Sequence, residues 1–305
     1  MVLPIDEIMK MLKDNVMKYR QPFLLPKWAL VGWAEGIPRG GKVLLYTGGM
    51  YQYVPYIQAM VRYLEGLEGA KGGKLLVKFG RTVSKLFDVT KFVANVKEEE
   101  VGEAHQILRN IADVLKGSGI EFGYLYEEEP YPGTLLYDLG MEEAFKKHVK
   151  YVHNLLKGVR RVITVDPHTT YMFRHIYPKY VENFNIEVAN YLEILAEKGY
   201  KARGKGRFTI HDPCLYARYE EIVGQPRAIL NLELTEPETT GKDTACCGGP
   251  IEFLAPRLSG KMARDRIKQL KKASNEVITL CPICMGNLRR WGRGEVNIRD
   301  IALLL

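Results

Sequence analysis

The stretch TACCGGP, residues 244–250, places Cys246 directly beside Cys247 and follows the pair with two glycines. Adjacent cysteines rarely serve packing, and a disulfide between neighbours closes a strained ring. Glycine allows the backbone to approach a ligand closely, because it carries no side chain. Two sulfurs at one such point therefore predict a bound group rather than a cross-link.

The cysteines all fall into one pattern. The 305-residue chain contains five of them, and they are Cys214, Cys246, Cys247, Cys281 and Cys284. An odd number argues against a disulfide framework. The segments RFTIHDPC (207–214) and EVITLCPIC (276–284) each predict a buried strand that ends at a turn containing proline. Because parallel strands deliver their carboxyl ends to one sheet edge, we expect three loops to bring the five sulfurs together.

Five thiolates exceed the number that common protein metal sites use. Structural zinc takes four ligands, and an ordinary cubane iron–sulfur cluster also takes four. A fifth sulfur favours a larger or more open inorganic group. We expect the N–H groups of Gly248 and Gly249 to donate hydrogen bonds to such a group.

The spacing and the local sequences resemble those of the cysteine-rich CCG domain. Thirty-one residues separate Cys214 from Cys246 and 33 separate Cys247 from Cys281, and HDPC, PRAIL, CCGGP and CPIC all match. The family includes the B subunit of heterodisulfide reductase, the iron–sulfur subunit of glycolate oxidase and the E-type subunit of some succinate:quinone reductases. The resemblance implies one noncubane [4Fe–4S] cluster. Its ligands would be Cys214, Cys246, Cys247, Cys281 and Cys284.

One position departs from the family pattern. Members often carry a histidine just after the first cysteine, whereas Leu215 follows Cys214 here. His211 is the nearest substitute for a proton-transferring group. A hydrogen bond that holds the turn is the role that the sequence favours for His211. Apart from His211, the resemblance leaves the cluster itself as the reactive group.

The family usually carries two CCG domains in tandem, and the first half of this chain contains a degenerate copy. RVITVDPHTTYM (161–172) mirrors EVITLCPICMGN (276–287), PYPG (130–133) mirrors the CCG segment, and LLYTGGMY (44–51) mirrors TIHDPCLY (209–216). The residues opposite the five cysteines are Gly49, Tyr131, Pro132, Asp166 and Thr169. They cannot reproduce a five-thiolate site, and a different metal bound by Asp166 and His168 lacks further ligands.

The degenerate copy still carries local folding signals. Asp166 followed by Pro167 predicts the N-cap and first residue of a helix. An insertion at about 50–115 separates its first strand from the rest. The acidic run EEEPYPG (127–133) predicts a solvated loop.

The pattern of elements predicts an α/β fold with two related lobes, each a small parallel sheet flanked by helices. Residues 1–41 would form an amphipathic helix (5–19) and an extended arm, residues 42–177 the degenerate lobe, and residues 178–305 the lobe that binds the cluster. We expect strands near 43–47, 121–127, 161–165, 207–211, 276–280 and 295–298. We expect a helix over 178–199.

The charge and hydropathy of the sequence bear on the binding partners and the cellular location of the protein. The net charge is +8, with dense basic stretches at 261–272 and 287–294. Such stretches are typical of solvated helices; docking of an acidic redox partner is the sharper alternative, and no nucleic-acid-binding module accompanies the charge. No signal peptide or apolar run of about 18 residues is visible, which predicts a cytoplasmic protein without a transmembrane segment. No glycine fingerprint for a flavin or nicotinamide is found.

The resemblance implies an iron–sulfur subunit of a heterodisulfide-reductase-like complex, which exchanges electrons with a thiol or disulfide substrate. The resemblance implies a ferredoxin-like C-type iron–sulfur subunit as partner, with a flavin-bearing A subunit further along the electron path. One alternative is a passive electron relay in a dehydrogenase or quinone-linked complex. Another is a structural zinc or docking protein.

Overall fold

A computed structural model of the protein describes residues 5–69, 96–202, 204–252 and 254–305. The strands are β1 (Val43–Tyr46), β2 (Arg161–Thr164), β3 (Glu187–Asn190), β4 (Arg207–His211), β5 (Glu233–Leu234), β6 (Glu276–Thr279) and β7 (Asn297–Asp300). The longer helices are α1 (Ile5–Tyr19), α2 (Lys27–Val31), α3 (Met50–Gly69), α4 (Glu98–Gly117), α5 (Thr134–Asp138), α6 (Glu142–Leu155), α7 (Pro167–Tyr171), α8 (Tyr177–Tyr180), α9 (Tyr191–Glu197), α10 (Gly224–Ile229), α11 (Pro256–Ala273) and α12 (Pro282–Trp291).

The strands form two separate parallel sheets. The first has the order β1-β2-β3 and the second the order β5-β4-β6-β7. In β1, β2 and β6 the first residue is partly exposed and the next three are buried, as expected for parallel strands with helices on both faces. The predicted α/β fold with two small parallel sheets is confirmed.

The two sheets are built on the same plan. β1, β2 and β3 occupy the places of β4, β6 and β7, and the bridge between Leu44 and Gly123 lies where β5 pairs with β4. Gly133 (φ 89°) and Gly248 (φ 78°) both adopt the left-handed conformation just before a helical turn. The fold therefore repeats at the positions where the sequence repeats.

The capping prediction for Asp166 is confirmed. Its side chain accepts hydrogen bonds from the backbone N–H groups of His168 (2.9 Å) and Thr169 (3.0 Å) at the start of α7. Cys281 holds the matching position before α12, with extended backbone and a proline next in sequence, but without a side-chain cap. The first lobe thus keeps a cap where the second lobe keeps a sulfur.

Several predicted elements are wrong. Residues 178–199 do not form one helix, because β3 lies within this range and pairs with β2. The chain turns at Asn183 (φ 58°), and Val188 enters the sheet. Residues 121–127 form two isolated bridges and a 3₁₀ turn rather than a strand. The arm contains α2, and β7 begins later than expected.

The sequence also gives predictions for the N-terminal helix, the lobe boundaries and the insertion in the first lobe. The helix over residues 5–19 is confirmed, with Leu12 and Val16 buried. The lobe boundaries at residues 41 and 177 stay predictions, and β3, beyond the second of them, belongs to the first sheet. The predicted insertion contains α3, α4 and residues outside the described ranges. In the described part of the chain, no helix combines the length and hydropathy needed to cross a bilayer.

Two tyrosines, one from each lobe, form hydrogen bonds between the lobes. The Tyr51 hydroxyl at the start of α3 donates to Asp300 Oδ2 at the end of β7 (2.8 Å). Asn190 Nδ2 at the end of β3 donates to the Tyr216 hydroxyl in the Cys214 loop (2.6 Å). Tyr51 and Tyr216 are equivalent in the repeat, so each lobe fixes the first loop of the other.

The predicted solvated loop at 127–133 is wrong at Glu129, whose side chain is buried. The Glu129 carboxylate accepts hydrogen bonds from Thr47 N (3.0 Å) and Thr47 Oγ1 (2.6 Å). Burial nevertheless raises the pKa of Glu129 from 4.5 to about 8, because these hydrogen bonds only partly offset the loss of water.

This raised pKa predicts a stability that falls with pH. The folded chain holds a proton on Glu129 that the unfolded chain releases above its ordinary pKa, so the contribution of Glu129 to stability is highest at low pH and is lost as the pH approaches 8. Between pH 5 and 8 the loss is up to about 4 kcal/mol. Urea unfolding at several pH values should show this slope in the wild type and a flatter profile in Glu129→Gln. Parallel pH profiles for the wild type and Glu129→Gln would contradict the raised pKa of Glu129.

Candidate metal centre

Three loops of the second lobe carry the five cysteines. Cys214 follows β4 and Cys281 follows β6, and these strands are direct neighbours, with His211 paired to Thr279 at their carboxyl ends. The loop with Cys246 and Cys247 precedes α11. Cys214 and Cys246 are partly exposed, and the other three cysteines are buried.

The five sulfurs form one contiguous group. Contacts within hydrogen-bonding reach link Cys214 with Cys246, Cys246 with Cys247, Cys247 with Cys284, and Cys284 with Cys281. The sulfurs of Cys247 and Cys284 and a ring nitrogen of His211 lie within 4.8 Å of one another. The prediction that three loops converge five sulfurs is thus confirmed, while their role as ligands stays a prediction.

The pKa values of the five thiols show that they cannot all be ionised without a positive charge nearby. Hydrogen bonds from Cys214 and Cys247 lower the pKa of Cys246 to about 2. Burial acts to raise the pKa of Cys281, but hydrogen bonds from Cys284 and His168 outweigh it and lower the value to about 6. The pKa values of the remaining three thiols are raised, because each is hydrogen-bonded to a neighbouring sulfur and water is excluded. Five thiolates together therefore require a cationic centre.

The glycines contribute both donors and space. Gly248 N donates to Cys246 Sγ and Gly249 N donates to Cys247 Sγ, each at 3.3 Å. A Cβ atom on Gly249 would lie 2.6 Å from Ile283 Cγ2, and one on Gly248 would lie 2.7 Å from a backbone oxygen, in a backbone conformation that disfavours side chains. The two glycines are thus needed for the close approach of the loops.

His211 is buried beside the sulfurs and is held by α11. Arg266 Nε donates to His211 Nδ1 (3.1 Å), which leaves the ring proton on Nε2. Burial and the Arg266 charge lower the pKa of His211 to about 3, so the ring is neutral. The hydrogen bond expected for His211 therefore exists, but it runs to a helix rather than within the turn.

A partly buried ion pair ties the first two loops together. Arg227 donates to both oxygens of Asp212 at 2.9 Å, and Gly241 N donates to Asp212 Oδ2 at 2.8 Å. The Thr244 hydroxyl donates to the backbone oxygen of Asp212 (2.9 Å). Since Asp212 and Thr244 each lie two residues before a cysteine, this network sets the distance between the Cys214 and Cys246 loops.

His168 is the site residue that the sequence did not reveal. It belongs to the first lobe, yet it donates a hydrogen bond to Cys281 of the second lobe, and its Nδ1 lies 3.6 Å from Asp166 Oδ1. Burial lowers the pKa of His168, but Asp166 and Cys281 outweigh it and raise the value to about 10. From the sequence, His168 is considered only as a metal ligand beside Asp166, and that role is rejected for want of further ligands. The repeat could have indicated this role, because it aligns His168 with Ile283, the residue next to Cys284.

Comparison with known proteins agrees with this geometry. Residues 208–289 match the profile of the cysteine-rich domain called CCG. This part of the chain is a CCG domain. The match contains all five cysteines, three loops and the paired strands β4 and β6, and it excludes the first lobe.

The relatives that match the CCG domain and its flanking residues carry the names of redox proteins. The "Probable iron-sulfur-binding oxidoreductase FadF" of Bacillus subtilis is 28% identical over 222 residues, 66% of this chain and 31% of that protein. The B subunit of the "Fumarate reductase (CoM/CoB)" of Methanothermobacter marburgensis is 28% identical over 187 residues, 57% and 37% of the two chains. The "EtfAB:quinone oxidoreductase" of Syntrophomonas wolfei is 28% identical over 210 residues, 61% and 28%. The chain thus spans about a third of the length of these relatives.

Proposed function

We propose that the CCG domain holds one [4Fe–4S] cluster of the noncubane type through Cys214, Cys246, Cys247, Cys281 and Cys284. The chain would then be the iron–sulfur subunit of a heterodisulfide-reductase-like complex and exchange electrons with a thiol or disulfide substrate. The single observation that carries this proposal is the contiguous group of five sulfurs.

The donor set fits such a cluster. Five sulfurs exceed the four that zinc or a cubane takes, and a multi-iron centre supplies the positive charge that the thiolates need. Donors that stabilise thiolate sulfur are already in place, from Gly248 N, Gly249 N and His168. Relatives named as iron–sulfur or fumarate reductase proteins support the same assignment.

A partner must supply or remove the electrons. An iron–sulfur cluster exchanges single electrons, whereas reduction of a disulfide to two thiols takes two electrons and two protons. A ferredoxin-like C-type subunit, followed by a flavin-bearing A subunit, would meet this need. Helix α11 begins close to the CCGGP loop, and its exposed side carries a basic surface for an acidic partner. Its exposed cations are Arg257, Lys261, Arg264, Lys268, Lys271 and Lys272.

Two observations favour alternatives. The first lobe has no cysteine, so one cluster alone would serve the chain, which suits a relay, and one relative is named a quinone oxidoreductase. The compact group of His211, Cys247 and Cys284 would also suit zinc in a structural or docking protein.

The test between substrate chemistry and relay uses the paramagnetic signal of the oxidised protein. Small thiols and disulfides should change this signal if sulfur reaches the centre, whereas a thioether of the same shape, which cannot bind as a thiolate, should leave it unchanged. Electron paramagnetic resonance of the anaerobic protein measures both. A signal that responds to no thiol or disulfide would favour the relay.

A further inference from the structure

A cavity of about 110 Å³ lies between the lobes, on the side of the cysteine group that faces the first lobe. α1 and α3 form one wall, and the CCGGP loop and the start of α12 form another. Its lining is mostly apolar and includes Leu12, Phe23, Met50, Ile57, Met60 and Ile283.

The cavity lies where the first lobe has lost its sulfurs. Tyr131, which stands opposite Cys246 in the repeat, lines it. His168 also lines it and donates a hydrogen bond to Cys281. A molecule in the cavity would therefore be separated from the sulfur of Cys281 by a single imidazole ring.

The polar groups of the lining disfavour an anion. Asp138 lies at the exposed rim, and Glu252 is paired with Arg290 (3.2 Å). Among the described residues that line the cavity, none is a lysine or an arginine. Moving a carboxylate, sulfonate or phosphate from water into such a space is strongly unfavourable, because the imidazole of His168, the basic group among these described residues, already faces Asp166 Oδ1 at 3.6 Å.

We propose that this cavity binds an uncharged, ring-sized apolar group and holds it beside His168 and the cysteine group. An apolar cavity of about 150 Å³ accepts benzene, and this cavity, at about 110 Å³, is somewhat smaller, so its ligand is no larger than about one ring. The inference deepens the proposed function by giving its substrate a class, and it rests on that function for the inorganic centre next to the ligand. Binding itself follows from the cavity alone.

Toluene and benzoate test the proposal as a matched pair of similar size. Both are titrated calorimetrically into the anaerobically purified full chain, and the paramagnetic signal is recorded before and after. Toluene should bind and shift the signal, and benzoate should bind at least about tenfold more weakly because its charge must be buried. Met60→Trp and Ile57→Phe, which fill the space, should each weaken toluene binding, whereas Met60→Leu should not.

The outcomes separate the inference from the proposed function. Equal affinity for benzoate, or toluene binding that neither filled variant weakens, would overturn the inference. Toluene binding that leaves the signal unchanged would overturn the placement beside the cysteine group and leave the proposed function standing. A protein that binds toluene but contains no iron would refute the proposed function and support the cavity as a binding site.

Discussion

Cys247→Ala protein, purified without oxygen, is expected to contain far less iron than the wild type and to lose its brown colour. Cys247 lies in the middle of the sulfur group, with hydrogen bonds to Cys246 on one side and Cys284 on the other. Its removal leaves two separate pairs of sulfurs, Cys214 with Cys246 and Cys281 with Cys284, so neither a five-thiolate cluster nor a four-thiolate cubane is expected to be held firmly. Iron analysis and the visible absorption spectrum measure the loss.

Asp166→Asn serves as the control for the cysteine substitution. Asp166 is buried and stands opposite Cys281 in the repeat, and an amide oxygen keeps an acceptor for the N–H groups of α7. This variant should retain its iron, because the first lobe supplies no ligand. Folded Cys247→Ala with full iron content, or folded Asp166→Asn without iron, would contradict the assignment of the ligands.

Asp212→Ala is expected to destabilise the fold by about 3 kcal/mol, toward the lower end of the range for breaking a buried ion pair. The substitution leaves Arg227 without its bidentate partner and Gly241 N without its acceptor. Glu236, which pairs with Arg227 at 2.7 Å, limits the loss because it still neutralises part of the charge. The urea midpoint of unfolding measures the effect. The midpoint of Asp212→Asn should lie between those of the wild type and Asp212→Ala.

An exposed ion pair of the same lobe provides the comparison. Lys272 and Glu238 approach to 3.7 Å while both side chains remain largely exposed. Exposed pairs contribute little to stability, so Glu238→Ala should leave the midpoint almost unchanged. A midpoint for Asp212→Ala that matches Glu238→Ala would show that the Asp212 network does not hold the loops.

The sequence predicted the convergence of the cysteine loops well, since the evidence for it is local. Each strand end is marked by apolar residues followed by proline, as at Pro213 and Pro282, and each is close in sequence to a cysteine. Parallel pairing then brings the strand ends together without further information. The repeat was visible for the same reason, because Asp166 and Cys281 start their helices in the same way.

What the sequence did not reveal depends on contacts between distant segments. β3 is a strand because β2 offers it an edge, although Asn183 and its neighbours had been assigned to a helix. His168 reaches Cys281 only because the lobes face each other, which no local pattern encodes. Glu129 is buried because Thr47, 82 residues away, donates to it.

The most direct test is metal analysis of the wild-type chain purified without oxygen. We expect about four irons and a similar amount of sulfide per chain, a brown chromophore and a paramagnetic signal on oxidation. About one zinc per chain with no colour would contradict the account, because the five sulfurs would then serve a structural ion.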